Sequence, residues 1–83
     1  MNQTENLTYQ DRLNLYETAQ ETIGFMMAMR TEAIYDEKKE ATPDTSKIQQ
    51  WEAEFKRLAD EQDGLRLADA AAIQRVLNEY GPS

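Results

Sequence analysis

The sequence contains no proline before Pro43, and residues 9–40 form an uninterrupted run rich in Leu, Met, Ala, Glu, Gln and Lys. These residue types have high helix propensity, and the single interior glycine is not enough to stop a helix. Thr8 is suited to be the N-cap because Asp11 follows three residues later, as in a capping box. The run therefore predicts one helix from Thr8 to about Glu40, roughly 50 Å long at about 1.5 Å per residue.

A second helix is predicted to begin within residues 41–44. Thr42 is suited to be its N-cap and Pro43 its first residue, because the missing N–H of proline has no intrahelical partner there. Apolar residues then recur three and four positions apart, which is typical of a helix packed along another helix. They are Ile48, Trp51, Phe55, Leu58 and Leu65. Gln62 interrupts this pattern, and Gly64 is expected to end the helix in the left-handed conformation.

A third, shorter helix is predicted from Asp69, which is a favourable N-cap, to the terminating pair Gly81 and Pro82. Its apolar face contains Ile73, Val76, Leu77 and Tyr80. No strand-like alternation is present, so the sequence predicts an all-α fold in which a long N-terminal helix packs against two shorter helices. This could be a helical hairpin or a three-helix bundle. We expect residues 1–7 to form a disordered tail and residues 8–83 to form a single helical domain.

The long helix carries two apolar stripes. The first, which we expect to face the core, contains Tyr9, Leu13, Tyr16, Ile23, Met27 and Ile34. The second contains Leu15, Thr22, Phe25, Met29 and Ala33. Gly24 and Ala28 lie between the stripes and would let another backbone approach closely. The sequence therefore predicts a partner-binding surface formed by Leu15, Thr22, Gly24, Phe25, Ala28 and Met29.

Three arrangements would bury the second stripe. The two shorter helices could straddle the long helix and bury both stripes within the chain. A second copy of the chain could pack on the stripe and form a homodimer, or a different protein could bind there. The methionines Met26, Met27 and Met29 suit all three arrangements, because thioether side chains fill cores and adaptable interfaces equally well.

Charge limits the classes of partner. The chain has 16 acidic and 9 basic residues, and its formal net charge is −7. Such a chain is repelled by nucleic-acid backbones and by anionic membranes, so we expect direct binding to neither. An acidic surface is predicted where the long helix ends, at Glu32, Asp36, Glu37 and Glu40.

The residue types available argue against catalysis. The chain has no His and no Cys, so thiolate and imidazole metal sites and the common pairs of a nucleophile with a base cannot form. No phosphate-binding or dinucleotide-binding glycine motif is present. We therefore expect no enzymatic activity, no cofactor and no metal site. The absence of Cys and of an apolar leader predicts a cytoplasmic location.

These observations support two hypotheses on function. The first is a non-enzymatic interaction module whose second apolar stripe binds another protein or a second copy of the chain. The alternative is a small acidic regulator or inhibitor, of the antitoxin, immunity-protein or phage-inhibitor type, that blocks a basic groove on a nucleic-acid enzyme.

Overall fold

The computed structural model describes residues 8–81, which form three helices: α1, Tyr9–Lys38; α2, Thr45–Gly64; and α3, Ala70–Tyr80. No β-strand occurs between Thr8 and Gly81. Both shorter helices pack against α1, so the predicted all-α fold is confirmed as a three-helix bundle. The predicted tail at residues 1–7 lies outside the described residues.

The start of α1 agrees with the sequence prediction. The Thr8 hydroxyl accepts a hydrogen bond from the Asp11 N–H at 3.1 Å, and the Asp11 carboxylate accepts one from the Thr8 N–H at 3.3 Å. This reciprocal capping box satisfies two backbone donors that have no intrahelical partner. Asp69 caps α3 in the predicted way, since its carboxylate accepts a hydrogen bond from the Ala72 N–H at 3.0 Å.

The predicted start of α2 is wrong by two residues. Asp44, and not Thr42, is the N-cap, and its carboxylate accepts a hydrogen bond from the Lys47 N–H at 3.1 Å. The N–H of Asp44 donates to the Glu37 carboxylate at 3.0 Å, which ties the cap to the end of α1. Because this contact fixes Asp44 in place, Pro43 stays in the loop and does not enter the helix.

The predicted end of α2 is at the correct residue, but its conformation is different. Gly64 is the last helical residue, and no residue between Thr8 and Gly81 has a positive φ, so the left-handed cap is absent. The C-cap that follows is Leu65, whose backbone is extended and whose side chain is buried. Burial of an apolar side chain in the core is favourable, and here it directs the chain out of the helix.

The core lies between the N-terminal half of α1, the C-terminal half of α2 and α3. Its buried side chains are Ala19, Ile23, Leu58, Leu65, Ile73 and Val76. Ile23 and Val76 are the largest that are fully buried. One residue of the predicted core face, Tyr9, is 69% exposed because it lies at the start of α1, outside this core.

Three side-chain contacts set the direction of the helices. Gln20 bonds to Gln62 and Arg30 bonds to Glu54, so α2 runs antiparallel to α1. Arg12 donates hydrogen bonds to the carbonyls of Leu67 and Ala68, at 3.2 and 3.0 Å, and so holds the α2–α3 loop against the first turn of α1. From this loop α3 runs parallel to α1.

Candidate docking surface

Part of the second apolar stripe of α1 is not covered by α3. This helix ends at Tyr80, which shares a surface groove with Met26. Leu15 is half-buried and packs against the core. Phe25 and Met29 lie on the outer side of α1 and at its uncovered end, and both are exposed. The two shorter helices therefore straddle α1, but within the second stripe they leave Phe25 and Met29 exposed, whereas Leu15, Thr22 and Ala33 are half-buried.

The uncovered side chains belong to a longer row on α1, which we call the outward stripe. Its members, Thr18, Thr22, Phe25, Met29, Glu32 and Asp36, are separated alternately by four and three residues. Residues at this spacing lie along one line of a helix surface. The outward stripe is thus polar at both ends and apolar in the middle.

Phe25 and Met29 form the apolar centre of the outward stripe. Phe25 is 66% exposed and Met29 is 44% exposed, whereas Ile23, two residues before Phe25, is completely buried. The exposed part of an apolar side chain gains nothing from the hydrophobic effect, and grouped exposed apolar side chains mark interaction sites more often than isolated ones do. Of the predicted partner-binding residues, these two are the large apolar side chains that the fold leaves free.

A groove adjoins this centre where α3 ends. It has a volume of about 410 Å³ and is open to solvent. It is lined by Thr18, Glu21, Thr22, Phe25, Met26, Tyr80 and Gly81. The Thr22 hydroxyl donates a hydrogen bond to the carbonyl of Thr18 at 2.8 Å, so it is already satisfied within α1. The floor of the groove is therefore mainly apolar and continues the surface of Phe25.

The other two predicted partner-binding residues, Gly24 and Ala28, are not members of the outward stripe. Ala28 is exposed on the outer side of α1. Gly24 faces α2, because a Cβ atom added to it would lie 3.6 Å from the side-chain nitrogen of Gln62. Gly24 thus lies against a side chain of α2, and the predicted close approach of another backbone at Gly24 is not made within the chain.

The predicted acidic surface separates into two parts. Glu32, Asp36 and Glu40 are exposed. Glu37 is half-buried and accepts the hydrogen bond from the Asp44 N–H, so it helps to hold the α1–α2 loop. Glu32 and Asp36 belong to the outward stripe, and the exposed Glu21 lies beside it on the groove. Acidic side chains therefore border the apolar centre on both sides.

The basic side chains of α1 do not lie on this surface. Arg12 is bonded to the α2–α3 loop, and Arg30 forms a half-buried ion pair with Glu54 of α2. Lys38 lies in the last turn of the helix. From Glu17 to Asp36, the exposed charged side chains of α1 are all acidic.

The structure also places Tyr80 in the groove, although the sequence assigned it only to the buried face of α3. Burial raises the pKa of the Tyr80 phenol above 10.0, the neighbouring carboxylates of Glu61 and Glu79 raise it further, and Arg57 opposes the shift. The phenol O–H donates its hydrogen bond to the Glu61 carboxylate of α2, so the aromatic ring of Tyr80, and not a free donor, is what the side chain offers to the groove. The spacing of apolar residues in α3 did not predict that Tyr80, at the end of the helix, would line a groove.

A second groove, which was not predicted, lies between α1 and α2 on the side away from α3. Its volume is about 310 Å³, and it is lined by Thr31, Ile34, Glu52 and Phe55. Both apolar residues were assigned to the core because they fit the helical spacing. They are half-buried, since the far end of the α1–α2 hairpin has no third helix beside it.

Within residues 8–81, no three Asp or Glu side chains come close enough together to hold a metal ion. None of the three helices is both long enough and apolar enough to cross a membrane. The chain matches no known family model, no curated protein and no solved structure.

Proposed function

We propose that the chain is a non-enzymatic protein-protein interaction module that docks through the apolar centre of the outward stripe. The observation that carries this proposal is the contrast within one short segment of α1, where Ile23 is fully buried and Phe25 is 66% exposed. The core explains the apolar residues on the inner side of the segment. It does not explain Phe25 and Met29, large apolar side chains that lie outside the core and leave much of their surface exposed.

The proposal gives each part of the molecule a role. The core and the caps hold α1 as a rigid support, which reduces the entropy lost when a partner binds. The protein works in the cytoplasm, where the absence of Cys has no cost. Its net charge of −7 keeps it away from nucleic acids and anionic membranes.

The test is a selection of helical peptides from a random library on the immobilised protein, followed by binding measurements with two variants. Phe25→Ser removes the apolar centre, and Tyr35→Ser removes another aromatic side chain of α1 that is 61% exposed. Neither substitution changes the net charge. Selected peptides should lose at least about tenfold in affinity for Phe25→Ser and keep their affinity for Tyr35→Ser, as expected for an anchor residue.

Circular dichroism and light scattering complete this test. Both variants should keep the helix content of the parent chain, because neither side chain is in the core. A homodimer that Phe25→Ser converts into a monomer would also support the proposal. The proposal is overturned if the selected peptides, and any self-association, are insensitive to Phe25→Ser.

A second candidate function uses the acidic surface. Glu32, Asp36 and Glu40 are exposed, so the chain could act as an acidic regulator that occupies a basic groove on a nucleic-acid enzyme. This candidate predicts inhibition of a nuclease that weakens as salt rises and is lost in Asp36→Lys/Glu40→Lys. Inhibition by this route would be unchanged in Phe25→Ser.

A further inference from the structure

The size of the apolar centre limits what can bind there. The exposed parts of Phe25 and Met29 offer roughly 200 Å² of apolar surface, given about 150–250 Å² for a whole aromatic side chain. Stable protein interfaces bury at least about 600 Å² on each partner. A partner must therefore also cover the ends of the outward stripe, and its chemistry must suit what is found there.

The ends of the outward stripe do not suit a second copy of the chain. In a parallel pairing, Glu32 would face Glu32 and Asp36 would face Asp36 of the other copy. In an antiparallel pairing centred between Phe25 and Met29, Glu32 would lie opposite Thr22, which offers no positive charge. Neither arrangement neutralises the acidic side chains, and both copies carry a net charge of −7.

Within residues 8–81, no ion pair joins a basic side chain to Glu21, Glu32 or Asp36. Arg12 and Arg30 are engaged with the α2–α3 loop and with Glu54. Lys39, just beyond α1, lies 4.1 Å from the centre of the Tyr35 ring. The positive charge that complements Glu21, Glu32 and Asp36 must come from the partner.

We propose that the outward stripe binds a basic amphipathic helix of another protein. This inference rests on the proposed function and specifies its partner. The alternating spacing of four and three residues is that of a seam between two packed helices. Apolar residues of the partner helix would cover Phe25 and Met29, and Lys or Arg side chains beside them would meet Glu21, Glu32 and Asp36.

The probes for this proposal are two synthetic helical peptides that share the same leucines at alternating spacings of four and three. One carries Lys at the flanking positions, and the other carries Glu. Fluorescence anisotropy at low salt should show that the Lys peptide binds at least about tenfold more tightly than the Glu peptide. The difference should shrink as salt rises, because ions screen exposed charges.

Charge reversal then locates the binding site. Glu32→Lys/Asp36→Lys should lower the affinity of the protein for the Lys peptide about tenfold or more. The control is Glu52→Lys/Asp63→Lys, which changes the net charge equally through exposed residues of α2 that lie outside the outward stripe. Measured at about 0.15 M salt, where the Debye length is about 8 Å, the control should retain most of the affinity because its charges lie away from the outward stripe. Phe25→Ser should lower the affinity for the same peptide, whereas Tyr35→Ser should leave it unchanged.

Each other outcome overturns this proposal in a recognisable way. Equal weakening by both double reversals would mean that a basic peptide is attracted only by the net charge. If both peptides bind equally well and Phe25→Ser weakens both, the proposed interaction function would be supported. The inference that the partner helix is basic would be wrong. A stable homodimer that requires Phe25 would identify the partner as a second copy. Peptide binding that ignores Phe25 would remove the proposed function as well.

Discussion

Gln20 of α1 and Gln62 of α2 exchange hydrogen bonds across the bundle. The side-chain nitrogen of Gln20 donates to the backbone carbonyl of Gln62, and that of Gln62 donates to the carbonyl of Gln20, each at 3.2 Å. Gln62 is the residue that interrupts the apolar pattern of α2. The interruption is therefore a specific polar contact, which fixes the register of α2 on α1 at one position. An apolar residue at position 62 could pack in more than one alignment of α2 along α1, because apolar contacts are not directional.

This exchange predicts a measurable cost for removing one side chain. Gln62→Ala should lower the free energy of unfolding by about 1 kcal/mol, the usual net value of one hydrogen bond. Gln20→Ala should cost more, about 1–2 kcal/mol, because Gln20 also donates to the Tyr16 hydroxyl at 3.0 Å. Urea denaturation followed by circular dichroism measures both. Gln49→Ala, at an exposed site of α2, controls for the change in helix propensity, and equal values for Gln49→Ala and Gln62→Ala would contradict the prediction.

A substitution at Gly24 is predicted to raise the free energy of unfolding, whereas the glutamine substitutions lower it. Its added Cβ would meet the Gln62 side-chain nitrogen at 3.6 Å, which is an ordinary contact distance. Gly24→Ala should therefore keep the Gln62 hydrogen bond and stabilise α1 by about 0.5–1 kcal/mol, since glycine is a poor helix former. The melting temperature of a domain this small should rise by about 3–6 °C.

Gly81→Ala is the contrasting control for that measurement. A Cβ added to Gly81 would lie 2.4 Å from the Leu77 carbonyl oxygen, so this variant should melt at a lower temperature than the parent chain. A fall in melting temperature for Gly24→Ala would show that α2 requires a closer approach than alanine allows.

The three helices were predictable because the signals for them are local. Capping pairs and apolar spacing act within a few residues, and they located the starts of α1 and α3 at Thr8 and Asp69. Two details of α2 were wrong, its start, which lies two residues later, and the left-handed conformation at Gly64, where the helix does end. Glu37 selects Asp44 as the N-cap, and burial of Leu65 in the core ends the helix. Neither contact is visible in the spacing of the residues around it.

The two apolar stripes of α1 were also predictable, but their division between core and surface was not. Periodicity shows that Leu15 and Phe25 both lie on the second stripe. It does not show how far α3 reaches along α1, nor on which side. Because α3 ends beside Met26, Leu15 joins the core and Phe25 remains exposed. Gly24 was likewise assigned to a partner surface because its neighbour Gln62 lies 38 positions further along the sequence.

The raised pKa of Tyr80 predicts how stability changes in alkali. Burial and the Glu61 carboxylate favour the neutral phenol in the folded chain, so its folded pKa is above the unfolded value of 10.0. Below that value the phenol is protonated in both states, and its contribution to stability is fully present. As the pH rises above about 10, the unfolded chain loses this proton first, so the free energy of unfolding falls until the folded pKa is passed.

Tyr80→Phe removes this dependence of stability on pH. Urea denaturation at pH 8, 9, 10 and 11 should therefore show a shallower decline for Tyr80→Phe than for the parent chain. Tyr35→Phe, which removes an exposed phenol at the other end of the bundle, is the matched control. Because both variants lose one phenol and keep the same lysines, identical slopes for the two would mean that the fold does not hold the Tyr80 proton more tightly.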